Sequence, residues 1–197
     1  MRRSRHTGAV PNVVGLLLAA GSGTRYGGPK ALAETDGVPW VVSAAQVLRD
    51  GGCDPVVVVV GAAADRTIAL LGEEVVVRAP GWESGMGASL RAGLAAIAEQ
   101  EATAVMVHLV DLPDVGAEVV NRVAGLADID VLARADYGRG PSHPVLIGRD
   151  HWAGVAALAA GDHGARDYLA LNDVISVACA DLATGTDVDE APPILDR

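Results

Sequence analysis

Two fully apolar runs stand out from the alternation of polar and hydrophobic positions along the chain. Residues 13–18 carry no polar side chain, and residues 56–60 are five consecutive valines between Pro55 and Gly61. Runs of this length and composition predict strands buried on both faces. Between them Trp40, Ala44, Val47 and Leu48 recur at helical spacing, with Pro39 placed for a first turn and Gly51-Gly52 for a stop. Further on, residues 62–71 predict a helix and 75–77 a short strand. Met86, Leu90, Leu94 and Ile97 form one helical stripe ahead of a strand over 105–110. Residues 116–127 read as helix, 130–135 as strand, and 144–147 as a strand that opens at a proline. Helices over 151–160 and 165–171 and a strand over 174–179 close the series.

Strand and helix alternating this regularly predict an α/β fold, a Rossmann-like three-layer sandwich with a mostly parallel central sheet. Ligands of such sheets sit beyond the carboxyl ends of the strands. The segments that carry unusual residues all follow strands on that edge: the glycine loop after the first, residues 78–87 after the third, and Asp111 after the fourth. With no internal repeat or linker, residues 11–197 are expected to form one domain, preceded by a disordered tail over 1–10.

Composition narrows the class. The chain has no Phe, three Trp and three Tyr, so its interior is expected to be built from Val, Ala and Leu. A formal charge of −10 argues against a nucleic-acid or membrane-surface binder, because phosphate backbones and anionic lipids would be repelled. Cys53 and Cys179 form no C-x-x-C pair and read as residues of a reducing compartment. No apolar run reaches the ~18 residues of a spanning helix, and the apolar run behind Arg2, Arg3 and Arg5 is too short for a signal peptide. The expected location is cytoplasmic.

The first strand runs into Leu18-Ala19-Ala20-Gly21-Ser22-Gly23-Thr24-Arg25-Tyr26-Gly27-Gly28-Pro29-Lys30. Small side chains let backbone N–H groups approach a polyphosphate, and two cations supply matching charge. Two better-known loops do not fit. Gly27 comes one position too late for G-x-G-x-x-G, and Ala31 stands where a P-loop needs Ser or Thr. Pro29 restricts Gly28 and is expected to keep the chain extended where Lys30 projects.

The loop resembles the signature L-A-A-G-x-[GS]-x-R-x-G-x-x-K of the MobA-like nucleotidyltransferases, which include molybdenum-cofactor cytidylyltransferases and guanylyltransferases. Four further motifs follow in the family's order. Residues 79–94 are similar to N-P-x-W-x-x-G-M-x-x-S-L-x-x-G-L, with Ala79 in place of Asn and Gly81 between Pro80 and Trp82. Ser142-His143-Pro144-Val145-Leu146-Ile147 resembles G-H-P-V-L-[FI], and Gly161-Asp162-His163-Gly164-Ala165-Arg166 matches G-D-x-G-A-R. Asp187-Val188-Asp189 resembles the start of D-I-D-T-P-x-D-L, but Glu190-Ala191 replaces the Thr and the downstream Asp is missing. The resemblance implies a nucleotide-diphospho-sugar transferase-like fold.

It also implies roles. Ala19, Ala20, Gly21, Ser22 and Gly23 would cradle the triphosphate, with Arg25 and Lys30 as catalytic cations. Gly85 and Ser89 would belong to the nucleobase pocket, and Trp82 could line it or cover the sheet. Asp111 could cap the turn at Pro113, but beside the glycine loop it reads as a catalytic Mg²⁺ ligand, because Mg²⁺ takes carboxylates together with phosphates and water. Asp189 is the candidate for a further metal contact. If extended, its segment puts Asp187 and Asp189 on one face. His143 and Arg166 fall on the acceptor side, while Asp114 and Asp162 read as helix caps.

The implied reaction is attack by an acceptor phosphate on the α-phosphorus of a nucleoside triphosphate. Leu18-Ala19-Ala20-Gly21 resembles the cytidylyltransferase form of the loop more than the guanylyltransferase form, which implies CTP, with molybdopterin as acceptor. A guanylyltransferase and a sugar- or alcohol-phosphate nucleotidyltransferase remain open. So does a non-catalytic nucleotide-binding partner of a molybdoenzyme.

Overall fold

The structure is a computed structural model that describes residues 11–190. The expected tail over 1–10 and the last positions compared with the family, Ala191 onwards, lie outside the described residues. In chain order the elements are β1 (Val13–Ala19), β2 (Glu34–Thr35), β3 (Val38–Pro39), α1 (Trp40–Asp50), β4 (Val56–Val60), α2 (Ala64–Ile68) and β5 (Val75–Arg78). They continue with α3 (Met86–Ile97), β6 (Ala104–Leu109), α4 (Ala117–Ala124), β7 (Leu132–Asp136), β8 (Pro141–Gly148), α5 (Trp152–Leu158), α6 (Arg166–Ala170) and β9 (Ile175–Ala178).

Seven strands form one sheet in the order β5-β4-β1-β6-β8-β7-β9. From β1 the chain winds outward through β4 to β5, then returns to place β6 on the other side of β1. The crevice between β1 and β6 is therefore the switch point at which α/β sheets bind ligands. The two valine-rich runs are buried along their whole length, as continuous apolar strands must be when helices cover both faces.

Odd-numbered positions of β1, including Leu17 and Ala19, pack with Val58, Val60 and Met106 against α1 and α4. Even-numbered positions, Val14, Leu16 and Leu18, pack with Val57, Val59 and Val107 against α3 and α5. The alternation of side chains across a pleat thus splits one sheet into two apolar layers. Both cysteines lie in the α1–α4 layer, and burial pushes the Cys53 thiol up to about 12.

Most strand and helix expectations hold within a residue or two at their ends. The larger differences have local causes. The helix expected over 62–71 is only Ala64–Ile68: Ala63 at its start is left-handed, φ +51°, and beyond its end the chain tightens to i→i+3 bonds, Leu70 and Leu71 N–H donating to the Thr67 and Ile68 carbonyls. β8 begins at Pro141, before the proline expected to open it, and runs antiparallel to both β6 and β7. Only residues 137–140 separate β7 from β8, too few for a helical crossover, so the pair is a hairpin. The β2–β3 hairpin was not anticipated, although Asp36-Gly37 between its strands is a type I′ turn signal; both residues have positive φ, +52° and +78°.

The layered core yields a direct stability test. Val58 is fully buried in β4, whereas Val75 on the edge strand β5 is 46% exposed. Val58→Thr places an unpaired hydroxyl between sheet and helix and is expected to cost about 1–3 kcal/mol. Val75→Thr is expected to stay within about 0.5 kcal/mol. Urea midpoints at unchanged m-value measure both.

Candidate active site

β1 ends at Ala19, whose side chain joins the α1–α4 layer, and the chain then turns over the sheet edge. The amides of residues 21–25 donate to no backbone carbonyl among the described residues. The loop instead closes on itself, with Gly27 and Gly28 N–H donating to the Gly23 carbonyl at 2.9 and 3.1 Å. Gly23 has φ +59°, and a Cβ there would overlap the Gly28 carbonyl oxygen, so glycine is required for this closure. A run of uncommitted amides around a bulk-free loop is an anion nest.

Lys30 does not continue an extended chain. It opens a 3₁₀ turn, Lys30–Leu32, immediately after the extended Pro29. Its Nζ donates to Asp111 Oδ2 and to Asp189 Oδ1, each at 2.9 Å. Arg25 Nη1 donates to Asp189 Oδ2 at 3.2 Å. Lys30 and Asp111 are largely covered, with side chains 14% and 20% exposed, while Asp189 is at 45% and Arg25 at 80%. The cluster therefore grades from a sheltered floor to a solvent-facing rim.

Asp111 stands just past β6. Asp189 reaches it because the segment after β9 folds back across the sheet edge. Val188 N–H donates to the Asp111 carbonyl at 3.1 Å, and Asp114 Oδ2 accepts from the Thr184 amide and hydroxyl at 2.7 and 2.6 Å. Asp114 thus pins the returning chain and caps no helix; Gly116 occupies the start of α4.

Burial opposes the charge on Lys30, but hydrogen bonds from its ammonium to Asp111 and Asp189 outweigh it and hold its pKa above the ordinary lysine value. The Lys30 hydrogen bond and charge, assisted by Arg25, keep the Asp189 carboxyl below the usual range. Among the described residues no group of three His, Cys, Asp or Glu side chains could hold a metal alone. Two carboxylates facing one point, with the rest of the shell from phosphate and water, are nevertheless the donor set that Mg²⁺ uses. Charge fits as well, because the two cations are already matched by two carboxylates and a triphosphate adds more negative charge. Asp111 and Asp189 fit a divalent ion that arrives with a nucleotide.

The glycine loop and this cluster form one wall of a cavity of about 440 Å³. Ala20, Gly21, Ser22 and Gly23 line it, with Gly85 and Ser89 from the opposite side. Ser89 is 4% exposed in the first turns of α3. Trp82 also lines this cavity and packs over Gly61. Gly85, φ +111°, lies hard against Gly161 and Asp162, where any Cβ would collide. Asp162 makes no helix-capping bond; its carboxylate sits where two cavities meet.

The second cavity, about 390 Å³, shares Leu18, Met86, Leu109, Asp111 and Asp162 with the first. His143 and Arg166 line it, as do Arg134, His163 and Asp187. Asp187 lines the second cavity and Asp189 the first, while Asp111 lines both. His143 Nδ1 lies 3.3 Å from the Val107 carbonyl, and burial holds its pKa down against that hydrogen bond and the Asp111 charge. Arg134 carries no local sequence signal, whereas Asp162 stands within the Gly161–Arg166 segment that matches G-D-x-G-A-R.

Comparison with known proteins sets this geometry in context. The chain is 38% identical over 194 residues to a protein named "Nicotine blue oxidoreductase" from Paenarthrobacter nicotinovorans, covering 91% of this chain and 93% of that one. It is 35% identical over 144 residues to a molybdenum cofactor guanylyltransferase from Rhodobacter capsulatus, covering 71% of this chain and 65% of the relative. Among solved structures, Rv0371c from Mycobacterium tuberculosis H37Rv superposes with TM-score 0.76 at 26% identity, over 93% of this chain and 95% of that one. A second structure of Rv0371c, in complex with manganese, superposes with TM-score 0.72 at 25% identity, over 85% and 88% of the two chains. The family model of the MobA-like NTP transferase domain matches residues 15–177, which carry the glycine loop, Lys30, Asp111 and most of both cavities, and the chain belongs to that family.

Proposed function

We propose that this protein transfers CMP from CTP to the phosphate of molybdopterin, releasing pyrophosphate, with Mg²⁺ held by Asp111 and Asp189. The observation that carries the reading is the convergence of Lys30, Asp111, Asp189 and Arg25 beside a loop of uncommitted amides. The amides of residues 21–25 receive phosphate oxygens. Arg25 and Lys30 exchange a carboxylate partner for the phosphates and stabilise charge as pyrophosphate leaves. A divalent ion bound there would polarise the phosphoryl oxygens as a Lewis acid. Manganese in the Rv0371c complex supports a divalent ion in this fold.

No side chain has to form a covalent bond, because positioning and electrostatics suffice for nucleotidyl transfer. The acceptor enters through the second cavity, so the two substrates meet at Asp111. CTP is preferred on Ala20, which precedes Gly21 as in the cytidylyltransferase form and lines the first cavity. The guanylyltransferase relative keeps GTP as the competing donor. Delivery of the product to a molybdoenzyme and a cytoplasmic location complete the proposal.

The name of the 38%-identical relative supports a second reading, an oxidoreductase that uses the same two cavities. The ionic cluster favours the first reading, since electron transfer has no need of two cations and two carboxylates at one point.

Pyrophosphate release with Mg²⁺ and CTP, GTP, ATP or UTP, each with and without molybdopterin, decides among these. Release that requires CTP and molybdopterin together is the expected result. GTP-dependent release moves the base. No release from any triphosphate, together with reduction of nicotine blue, the compound in that relative's name, by an added two-electron reductant, moves the chain to the second reading.

Lys30→Ala and Asp111→Ala are each expected to lower kcat by about 10²–10³, as loss of a preorganised electrostatic partner does. A Lys30→Ala enzyme of near-normal rate would overturn the role given to the cluster. The pH profile follows from the same groups. Asp189, with its carboxyl held low, loses its charge only as pH falls below the ordinary aspartate range near ~3.9; Lys30, held high, loses its charge only as pH rises above ~10.4. Initial rates are therefore expected to show no ionisation of these two groups between about pH 5 and 9.

A further inference from the structure

Among the described residues, Arg134 is the one Arg or Lys on a sheet strand that lines the second cavity. On β7 it pairs with Val145 of β8 and Ser176 of β9, and Val145 in turn pairs with Val107 of β6. The residues of this row on β6 and β8 are apolar, yet Arg134 shares their face and lines the cavity with them. A guanidinium on such a floor loses water and needs acceptors in return. Its Nε is buried with no hydrogen-bond partner, and the side chain forms no ion pair among the described residues. The nearby Asp136 makes no ion pair with Arg134; the Gly138 amide and the Ser176 hydroxyl, and after them the Arg134 charge, hold its carboxyl below the usual range. Its Oδ1 accepts from the Gly138 amide and its Oδ2 from the Ser176 hydroxyl, both at 2.8 Å.

Position along the sheet separates this group from the reaction point. Arg134 lies two strands from β6 and level with Val107, four residues before Asp111. At ~4.8 Å per strand and ~3.3 Å per residue, the two backbones are roughly 16 Å apart. An acceptor whose phosphate meets the nucleotide at Asp111 therefore offers Arg134 a different group.

We propose that Arg134 is a specificity residue of the second cavity, which binds an oxyanion or carbonyl edge at the end of the acceptor remote from its attacking phosphate. The acceptor is accordingly bifunctional: a phosphate ester at one end and a pair of hydrogen-bond acceptors at the other, presented to the guanidinium fork. This assignment rests on the nucleotidyl-transfer reading for its description of the acceptor. The orphaned Nε and the cavity stand without it.

Two measurements test it. In the pyrophosphate assay with CTP and molybdopterin, Arg134→Gln is expected to raise the acceptor KM about 10–100-fold, the loss of a hydrogen bond to a charged group, with the CTP KM unchanged. Arg134→Lys, which keeps charge but loses the fork, is expected to recover less than half of that loss on a logarithmic scale. An unchanged acceptor KM in Arg134→Gln, or an equal rise in both KM values, would overturn the proposal. Should the wild-type protein release no pyrophosphate at all, the Nε–Hε resonance of Arg134 in ¹⁵N-labelled wild-type protein decides alone. A saturable shift on titration with acetate or inorganic phosphate supports the anion site, and no shift up to a high millimolar concentration overturns it.

Discussion

One ammonium group organises the functional edge of this protein. Lys30 Nζ holds Asp111 and Asp189 at equal distance, and in doing so joins the glycine loop, the carboxyl end of β6 and the segment that returns after β9. Partly exposed ion pairs of this kind contribute on the order of 1 kcal/mol or less each to stability. Their effect here is placement. Three pieces of chain far apart in sequence meet at one point, and the charges there are balanced until a polyanion arrives. Under the proposed reaction, low cost of exchange suits the site better than a deeply buried pair would, because Lys30 and Arg25 would give up carboxylate contacts to take phosphate.

The sheet makes that meeting possible. Val, Ala and Leu fill most of two layers on either side of the mostly parallel sheet, and the loops at its carboxyl edge are left to build the cavities. Polar groups along the edge then tie the returning chain down. Asp114 holds Thr184, the Asp111 carbonyl takes the Val188 amide, and Gly185 packs closely on the Tyr137 ring. The outcome is two cavities that adjoin at Asp111 and Asp162, with the glycine loop, Arg25 and Lys30 in one and Arg134 and Arg166 in the other. A donor and an acceptor can bind side by side with their reacting ends together, which is the geometric requirement of group transfer.

Membership of the MobA-like NTP transferase domain family agrees with this arrangement while leaving substrate choice to the cavities. Relatives that carry the names of a guanylyltransferase and of an oxidoreductase show how far one scaffold is reused. Fold is held by the strand order and the two apolar layers. Chemistry depends on a few side chains at the edge, which can change without disturbing either layer.

The amino-acid sequence by itself determined the buried strands, the helical stripes, the glycine loop and the order of elements. Each of these follows from local periodicity or from the conformational demands of Gly and Pro, which act over a few residues. It also singled out Lys30, Asp111 and Asp189 through their family motifs, though not the ammonium that links them. Tertiary structure alone decided the antiparallel course of β8, the clamp of Asp114 on Thr184, the division of Asp187 and Asp189 between two cavities, and the placement of Arg134 level with Val145 and Val107 in the second cavity. Those outcomes depend on which strands become neighbours and where the chain returns. They are set by long-range burial and closure, and no window of local sequence carries that information.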